Sequence, residues 1–183
     1  MNELLRKLRG SDLRSDGRAN EVAEEVIGNP QLLPLLVEGL AEPDDVVRAR
    51  TAHALENVSR VHPEFLQDLT PQLCELALKD EVPMVRWHIA MIFGNTTGFK
   101  EVDDVVSVLF HLLEDESVFV VSWSIVSLCI LGGKYESKRR EIIEKVEALK
   151  DSSSIAIRTK VKKAINVLKG KEPMPVGWYK GRK

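Results

Sequence analysis

The 183-residue chain has little of several features that would define its class at once. Aromatic residues make up only 5% of it, and no uninterrupted apolar run approaches the roughly 20 residues of a membrane-spanning helix. The two cysteines, Cys74 and Cys129, lie far apart within apolar periodic segments, so we expect two buried free thiols. Because Arg6, Lys7 and Arg9 are not followed by an apolar stretch, we expect a cytoplasmic protein without membrane association.

Motifs for catalysis and cofactor binding are also missing. There is no Gly-x-Ser-x-Gly sequence, and the glycines before Lys134 lack the spacing of a phosphate loop. The four histidines, His53, His62, His88 and His111, show no paired metal-ligand spacing. We therefore expect no enzyme, no cofactor and no metal site.

The net charge of −2 conceals a strong polarity along the chain. Residues 1–20 carry a charge of +2, residues 21–133 carry −13, and residues 134–183 carry +9. An acidic body with a basic end can orient a charged partner along the molecule.

A repeated segment contains a β-branched residue that is followed in most copies by arginine. Its copies lie at 44–55, 81–90, 121–126 and 157–161, with spacings of 38, 36 and 36 residues. Each copy follows another apolar pattern with intervals of three and four residues, and proline and glycine separate the patterns. The repeating unit is therefore a helical hairpin, and we predict an all-α fold.

These repeats resemble the HEAT-repeat family, including HEAT-like repeats of the PBS-lyase type. The resemblance rests on a period near 37, an acidic turn between the helices, and prolines in or before the first helices at Pro34, Pro63 and Pro71. It also rests on the Val-Arg step that opens the second helix at 47–48 and 85–86.

The resemblance implies a right-handed α-solenoid, or α-α superhelix, of about four to five HEAT-like hairpins. We assign residues 1–170 to this repeat domain, with a degenerate first hairpin, and residues 171–183 to a basic tail containing proline and aromatic residues. HEAT-like hydroxylases with a di-iron site carry repeated His-Glu pairs, and no histidine of this chain precedes a glutamate. That enzyme is excluded.

In the family, the arginine of the Val-Arg step is usually held in a ladder of acids and arginines between stacked repeats. The resemblance therefore implies a structural role for Arg48, Arg86 and Arg158. The third copy carries Ser122 at this position, so we do not expect a continuous ladder there.

A helical projection divides each second helix into a core side and an opposite side that we expect to face solvent. The predicted core side holds Val47, Thr51, Ala54, Leu55 and Val58; Val85, Ile89, Ile92 and Phe93; Val121, Ile125, Leu128 and Cys129; and Ile157, Val161, Ala164, Ile165 and Leu168. The predicted solvent side holds Ala49, His53 and Glu56; Trp87, Met91 and Gly94; Trp123, Ser127 and Ile130; and Thr159, Lys163 and Asn166. We also expect His88 to be solvated.

Trp87 and Trp123 occupy equivalent positions in successive repeats, which indicates an apolar patch on the concave layer of second helices. We therefore predict a scaffold that binds a protein or peptide, with the surrounding acids favouring a basic partner. The candidate partner-binding residues are Trp87, Met91, Trp123, Ser127, Ile130, His53 and His88.

The sequence leaves other interpretations open. The tryptophans can instead fill gaps between repeats, and the aromatic residues of the tail can fold back onto the groove. An alternative function is nucleic-acid binding through the basic residues Lys160, Lys163, Lys169, Lys171, Lys180 and Arg182. A HEAT-like lyase or DNA-repair enzyme is a further, less favoured alternative, and the sequence does not indicate an oligomeric state.

Overall fold

A computed structural model describes residues 1–96 and 98–178. These residues form helices and no strands. The α-helices are α1 (Glu3–Arg6), α2 (Ala19–Gly28), α3 (Leu33–Val37), α4 (Asp45–Val61), α5 (Thr70–Lys79), α6 (Pro83–Asn95), α7 (Val102–Leu112), α8 (Val118–Lys134), α9 (Glu136–Glu147) and α10 (Ile155–Leu168). Short 3₁₀ segments lie at Pro30–Leu32, Glu38–Ala41, Pro63–Leu69 and Val176–Trp178. Within the described part of the chain, no helix is long and apolar enough to cross a membrane.

The helices form the predicted α-solenoid of stacked hairpins. The four second helices, α4, α6, α8 and α10, are joined by α2 in one continuous layer in which each helix packs against the next. We call this the inner layer. In the outer layer, which holds the first helices, direct packing is sparser and is most extensive between α5 and α7.

Local sequence accounts for where the second helices begin. The Asp44 side chain accepts hydrogen bonds from the amides of Val46 and Val47, at 2.9 and 3.2 Å, and so caps α4. Helix α6 begins at Pro83, whose missing amide hydrogen is no loss in the first turn. Ser154 caps α10. Every predicted core residue of the four second helices is buried, which confirms that side of the helical projection.

The inner helices α6 and α8 approach one another closely at Gly94. A Cβ atom at this position would lie 2.6 Å from Ser127 Oγ and 3.2 Å from Ser127 Cα. The Ser127 hydroxyl donates a 2.6 Å hydrogen bond to the carbonyl of Ala90 on α6. Small residues therefore allow the two helix backbones to pack against each other.

Arg50 of α4 holds the N-terminal segment against the solenoid. Its side chain is only 3% exposed, and its guanidinium donates to the carbonyls of Leu8, Arg9, Asp12 and Ser15 at 2.8–3.3 Å. It also donates to the Ser15 hydroxyl at 3.0 Å. The segment after α1 thus wraps around one arginine whose partners are mainly carbonyl oxygens.

Candidate functional site

Aromatic rings from three inner helices form a connected strip across the first half of the solenoid. The imidazoles of His53 and His88 are stacked, with centroids 4.5 Å apart and an interplanar angle of 12°. Trp87 lies 5.6 Å from His88 and 5.2 Å from Phe119 of α8. Phe119 is 62% exposed and Trp87 is partly exposed, so the strip reaches solvent at the Trp87–Phe119 end.

The expectation that the opposite side of each second helix faces solvent was wrong at several candidate residues. Among the candidate partner-binding residues, His53, His88, Ser127 and Ile130 are all buried. Ala49, Glu56 and Gly94, which were also assigned to the solvent side, are buried as well. The physical reason is that an inner helix packs on both neighbouring inner helices as well as on its own first helix. Trp87, Met91 and Trp123 remain partly exposed.

A buried carboxylate and a guanidinium lie beneath this surface. Glu56 is fully buried and accepts two hydrogen bonds from Arg60, at 2.6 and 2.5 Å. Asn95 of α6 donates to Glu56 at 3.1 Å and to the Ser59 hydroxyl at 3.0 Å. The network connects α4 to α6 and leaves no unpaired negative charge at this point.

The two stacked histidines occupy an environment that favours their neutral form. Burial holds the pKa of His88 well below its usual value, and His53 and Arg60 lower it further. Burial also lowers the pKa of His53, against the opposing effects of Asp16 and Glu56. His53 Nδ1 lies 3.5 Å from an Asp16 carboxylate oxygen. Desolvation therefore outweighs the nearby acids, and both rings are neutral at physiological pH.

In the second half of the inner layer, Lys160 lies between two indoles. Its ammonium nitrogen lies 5.5 Å from the centroid of Trp123 and 5.2 Å from that of Trp178, which belongs to the tail. Burial lowers the pKa of Lys160. Trp178 is 8% exposed, so the part of the tail up to Trp178 folds back onto the inner layer, which is one of the interpretations that the sequence left open.

The arginines of the Val-Arg step contact the turns between helices. Arg48 Nε donates to Asp80 at 2.8 Å, and Arg86 binds Asp115 through two hydrogen bonds of 2.6 and 3.0 Å. Each of these acids lies in the turn of the following repeat. Arg158 donates instead to the carbonyls of two serines in its own turn, at 2.6 and 3.0 Å.

The basic residues of the nucleic-acid alternative are partly engaged in other contacts. Lys163 forms an ion pair with Glu172, and Lys169 lies 3.4 Å from Glu147. Lys171 is exposed. Lys180 and Arg182 lie outside the described residues.

The acids nearest the Trp87–Phe119 end of the aromatic strip lie in the turns rather than on the helices that carry these two rings. Helices α6 and α8 contain no acidic residue. The turns before them hold the exposed residues Glu81, Glu114 and Glu116, and other acids lie on the outer helices. Negative charge therefore borders the Trp87–Phe119 end of the aromatic strip, because Phe119 is the second residue of α8.

Both cysteines are free thiols, and neither is in an activated environment. Burial raises the pKa of Cys129 to about 12. Burial raises that of Cys74 to about 11, with a further contribution from Asp104. Cys74 lines an outer cleft of about 540 Å³ between α5 and α7. At neutral pH both groups are thiols rather than nucleophilic thiolates.

Sequence reasoning missed Phe119 and the glutamate–arginine network as parts of this surface. Phe119 lies in a β-branched and aromatic run, which predicted a helix but gave no sign that this ring would be exposed. Glu56 was placed on the solvent side. Arg60 follows Glu56 by four residues, which is the spacing of an ion pair within a helix, and this spacing was the available signal of the network.

Comparison with known proteins places the fold in a class. No family model matches the chain, and no curated protein matches it. Among solved structures, the designed armadillo repeat protein YIII(Dq)4CqI has a TM-score of 0.62 and 18% identity, covering 90% of this chain and 80% of the other. A structure described as an engineered protein has a TM-score of 0.64 and 20% identity, covering 91% and 80%.

A third similar structure is a designed armadillo repeat protein, YIII(Dq.V1)4CPAF, in complex with the peptide (KR)4. Its TM-score is 0.59 at 18% identity, covering 90% of this chain and 80% of the other. The chain therefore has a helical-repeat solenoid fold. The two named repeat proteins are of the armadillo type rather than the HEAT type, and neither is described as an enzyme.

Proposed function

We propose that this protein is a non-catalytic scaffold that binds an extended protein segment along its inner layer. The observation that carries the proposal is the Trp87–Phe119 pair, in which two rings from successive helices contact each other while Phe119 stays 62% exposed. Met91 and Trp123 continue the partly exposed apolar surface. Large aromatic residues with exposed area are enriched among the residues that dominate protein interfaces.

The chemistry around the pair favours a partner with apolar and basic side chains. An apolar residue of the partner would pack on Trp87 and Phe119, while its basic residues would meet Glu81, Glu114 and Glu116 in the adjoining turns. The similar designed protein that holds the peptide (KR)4 supports the basic character of such a partner. His53, His88, Ser127 and Ile130 would support the surface from below rather than contact the partner, because they are buried.

The experiment is a selection from a library of displayed peptides on the wild-type protein. Selected peptides are then synthesised and their affinities measured by fluorescence polarisation for wild type, Phe119→Ser and Trp87→Ala. Leu78→Ser is the matched control, because it removes a 46% exposed apolar side chain from the outer helix α5. Circular dichroism establishes that each variant is folded.

We expect at least one family of peptides whose affinity falls about tenfold or more in Phe119→Ser and is unchanged in Leu78→Ser, which corresponds to losing one interface anchor. Peptides that bind the folded Phe119→Ser and Trp87→Ala variants as tightly as wild type would show that the partner surface lies elsewhere. A selection that enriches no peptide would also contradict the proposal.

One observation favours nucleic-acid binding as a second candidate. Lys160, Lys162 and Lys163 line a cleft of about 410 Å³ together with Trp178, a combination of cations and an aromatic ring that suits a single strand. A labelled single-stranded oligonucleotide tests this candidate. Binding that weakens steeply with salt and is lost in Lys162→Glu would support it, whereas no binding at low salt would eliminate it.

A further inference from the structure

The tail segment, residues 171–178, is attached to the inner layer by a specific set of polar contacts. Gly170, with φ +70°, reverses the chain after α10, and the Lys171 amide donates to the Asn166 carbonyl at 2.8 Å. The Glu172 carboxylate then accepts a 2.7 Å hydrogen bond from the Asn166 side chain and pairs with Lys163. These contacts direct the segment back across α10 rather than into solvent.

The tail segment ends in a pocket that is filled by one side chain. Trp178 is 8% exposed, whereas Val176, two residues earlier, is 90% exposed, so Trp178 is the most deeply buried residue of the segment. Trp178 lines the pocket with Met91, Trp123 and Ile130, and the space left beneath is about 10 Å³. That space is about the minimum for one water molecule.

The pocket draws its walls from several repeats. It is lined from α4 by Glu56, from α6 by Met91 and Asn95, and from α8 by Trp123 and Ile130. On the α10 side, the Lys160 ammonium lies over both the Trp123 and the Trp178 rings. A cation between two indoles and apolar walls together form an environment that suits an aromatic ring.

We propose that this pocket is a recognition site for an indole, occupied within the chain by Trp178, and that a partner segment must present its own large aromatic residue to displace the tail. This inference rests on the proposed function and specifies its partner, because Met91 and Trp123 belong to both the proposed binding surface and the pocket. The matching partner is a segment with an aromatic residue three positions after a proline, as Trp178 is three positions after Pro175.

The attachment of the tail segment is of the kind that a partner can replace. Apart from the pocket, it depends on the Glu172 contacts, on the hydrogen bond of 2.8 Å from the Lys171 amide to the Asn166 carbonyl, and on Met174, which packs against the core. A short connection gives a docked segment an effective concentration in the millimolar range. If the tail segment is docked about 90% of the time, the apparent affinity of a competing segment is reduced about tenfold.

The test uses the full chain and a synthetic peptide with the sequence of residues 171–178, labelled at its amino end. Its affinity is measured by fluorescence polarisation for wild type and for Trp178→Ala, in which the pocket is vacated. A peptide of the same sequence with alanine at the tryptophan position is the matched control. Glu172→Lys is a second variant, because it places an ammonium group against Lys163 and releases the tail segment while keeping every pocket side chain.

We expect the peptide to bind Trp178→Ala and Glu172→Lys at least tenfold more tightly than wild type, and the alanine peptide to bind none of the three. Equal affinity for wild type and both folded variants would overturn the proposal, because the pocket would then not be occupied by Trp178 in solution. Absence of binding to both variants at millimolar peptide would overturn it as well.

The two proposals fail in different ways. If library-selected peptides depend on Phe119 but bind wild type and Trp178→Ala equally, the scaffold function stands and the competition with the tail segment is wrong. If the tail peptide binds Trp178→Ala but the library yields no Phe119-dependent peptide, the pocket stands and the wider binding surface is wrong.

Discussion

Replacement of Arg50 by methionine tests how the N-terminal segment is attached to the solenoid. Methionine keeps an unbranched stem of similar length but donates no hydrogen bond. The substitution therefore removes the hydrogen bonds that the guanidinium makes to Leu8, Arg9, Asp12 and Ser15. Four backbone carbonyls then lose their donor in a region where Leu5 and Leu8 are fully buried.

The magnitude is bounded from two sides. Hydrogen bonds that involve a charged group contribute about 1.5–3 kcal/mol each to stability, so the gross loss is several kcal/mol. The loss cannot exceed the cost of detaching the segment, because the carbonyls of a detached segment are hydrated by water. Detachment exposes Leu4, Leu5 and Leu8, at a cost of about 1.5–3 kcal/mol each. Detachment also returns conformational entropy to the segment, which offsets part of this loss, so we expect Arg50→Met to lower the free energy of unfolding by about 3–5 kcal/mol.

Two measurements resolve this effect. Urea denaturation followed by circular dichroism gives the free energy, and hydrogen exchange read by mass spectrometry reports α1 separately from α6 to α10. Arg140→Met is the matched control, since that side chain is 92% exposed and, among the described residues, pairs only with Glu144 four residues on. An exposed helical pair of this kind contributes about 0.3–0.5 kcal/mol.

The decisive result is the protection of α1. We expect its amides to exchange rapidly in Arg50→Met while the amides of α6 and α8 keep their protection. If α1 is protected as in wild type, or if Arg50→Met and Arg140→Met change stability equally, the assigned role of Arg50 is wrong.

Three further predictions concern the packing of the repeats. Asp115→Ala leaves Arg86 without its carboxylate partner and removes the acceptor for the Ser117 amide. We expect the free energy of unfolding, measured by urea denaturation, to fall by about 3 kcal/mol or more. Asp103→Ala should change it very little, because that carboxylate is exposed. Gly94→Val inserts methyl groups against Ser127 and should cost about 1–3 kcal/mol, whereas Gly28→Val, where nothing lies within 4 Å of a new Cβ, should cost little beyond helix propensity. Burial lowers the pKa of His53 and His88 below the value near 6.5 in the unfolded chain, so the unfolded chain binds more protons as the pH falls. The contribution of the neutral histidines to stability should therefore be complete above about pH 6.5 and decrease as the pH falls below it. The decrease should be smaller in His88→Phe. A urea midpoint that does not change between pH 8 and pH 5 would contradict this.

The solenoid fold could be predicted from the sequence because each hairpin repeats the same pattern of apolar residues and turns. The Val-Arg step placed the second helices in register, and one projection identified their buried side from Val47 to Leu168. The same projection failed on the other side, because it assumes that a helix packs on one neighbour. The small residues Ala49, Gly94 and Ser127, predicted to face solvent, were the signal that the inner helices also pack closely against one another.

The remaining features depend on contacts between residues distant in sequence. Arg50 lies two residues after Arg48 and outside the Val-Arg step, and its partners lie some 35 to 42 residues earlier in the chain. Trp178 lies in a segment without helical period, so its destination is set by a pocket drawn from three other helices. Local pattern cannot locate such contacts, although it identified the tail aromatics as candidates for folding back.

The arginine contacts between repeats have a mechanical consequence. Arg48 binds the turn before α6 and Arg86 binds the turn before α8, whereas Ser122, at the equivalent position of α8, makes no such contact with the turn before α10 among the described residues. At that junction the stack of Trp123, Lys160 and Trp178 bridges the inner helices instead. We therefore expect the solenoid to bend most easily between α8 and α10. Release of the tail segment would remove the Trp178 contact at this junction and so make the spacing of the two inner helices easier to change.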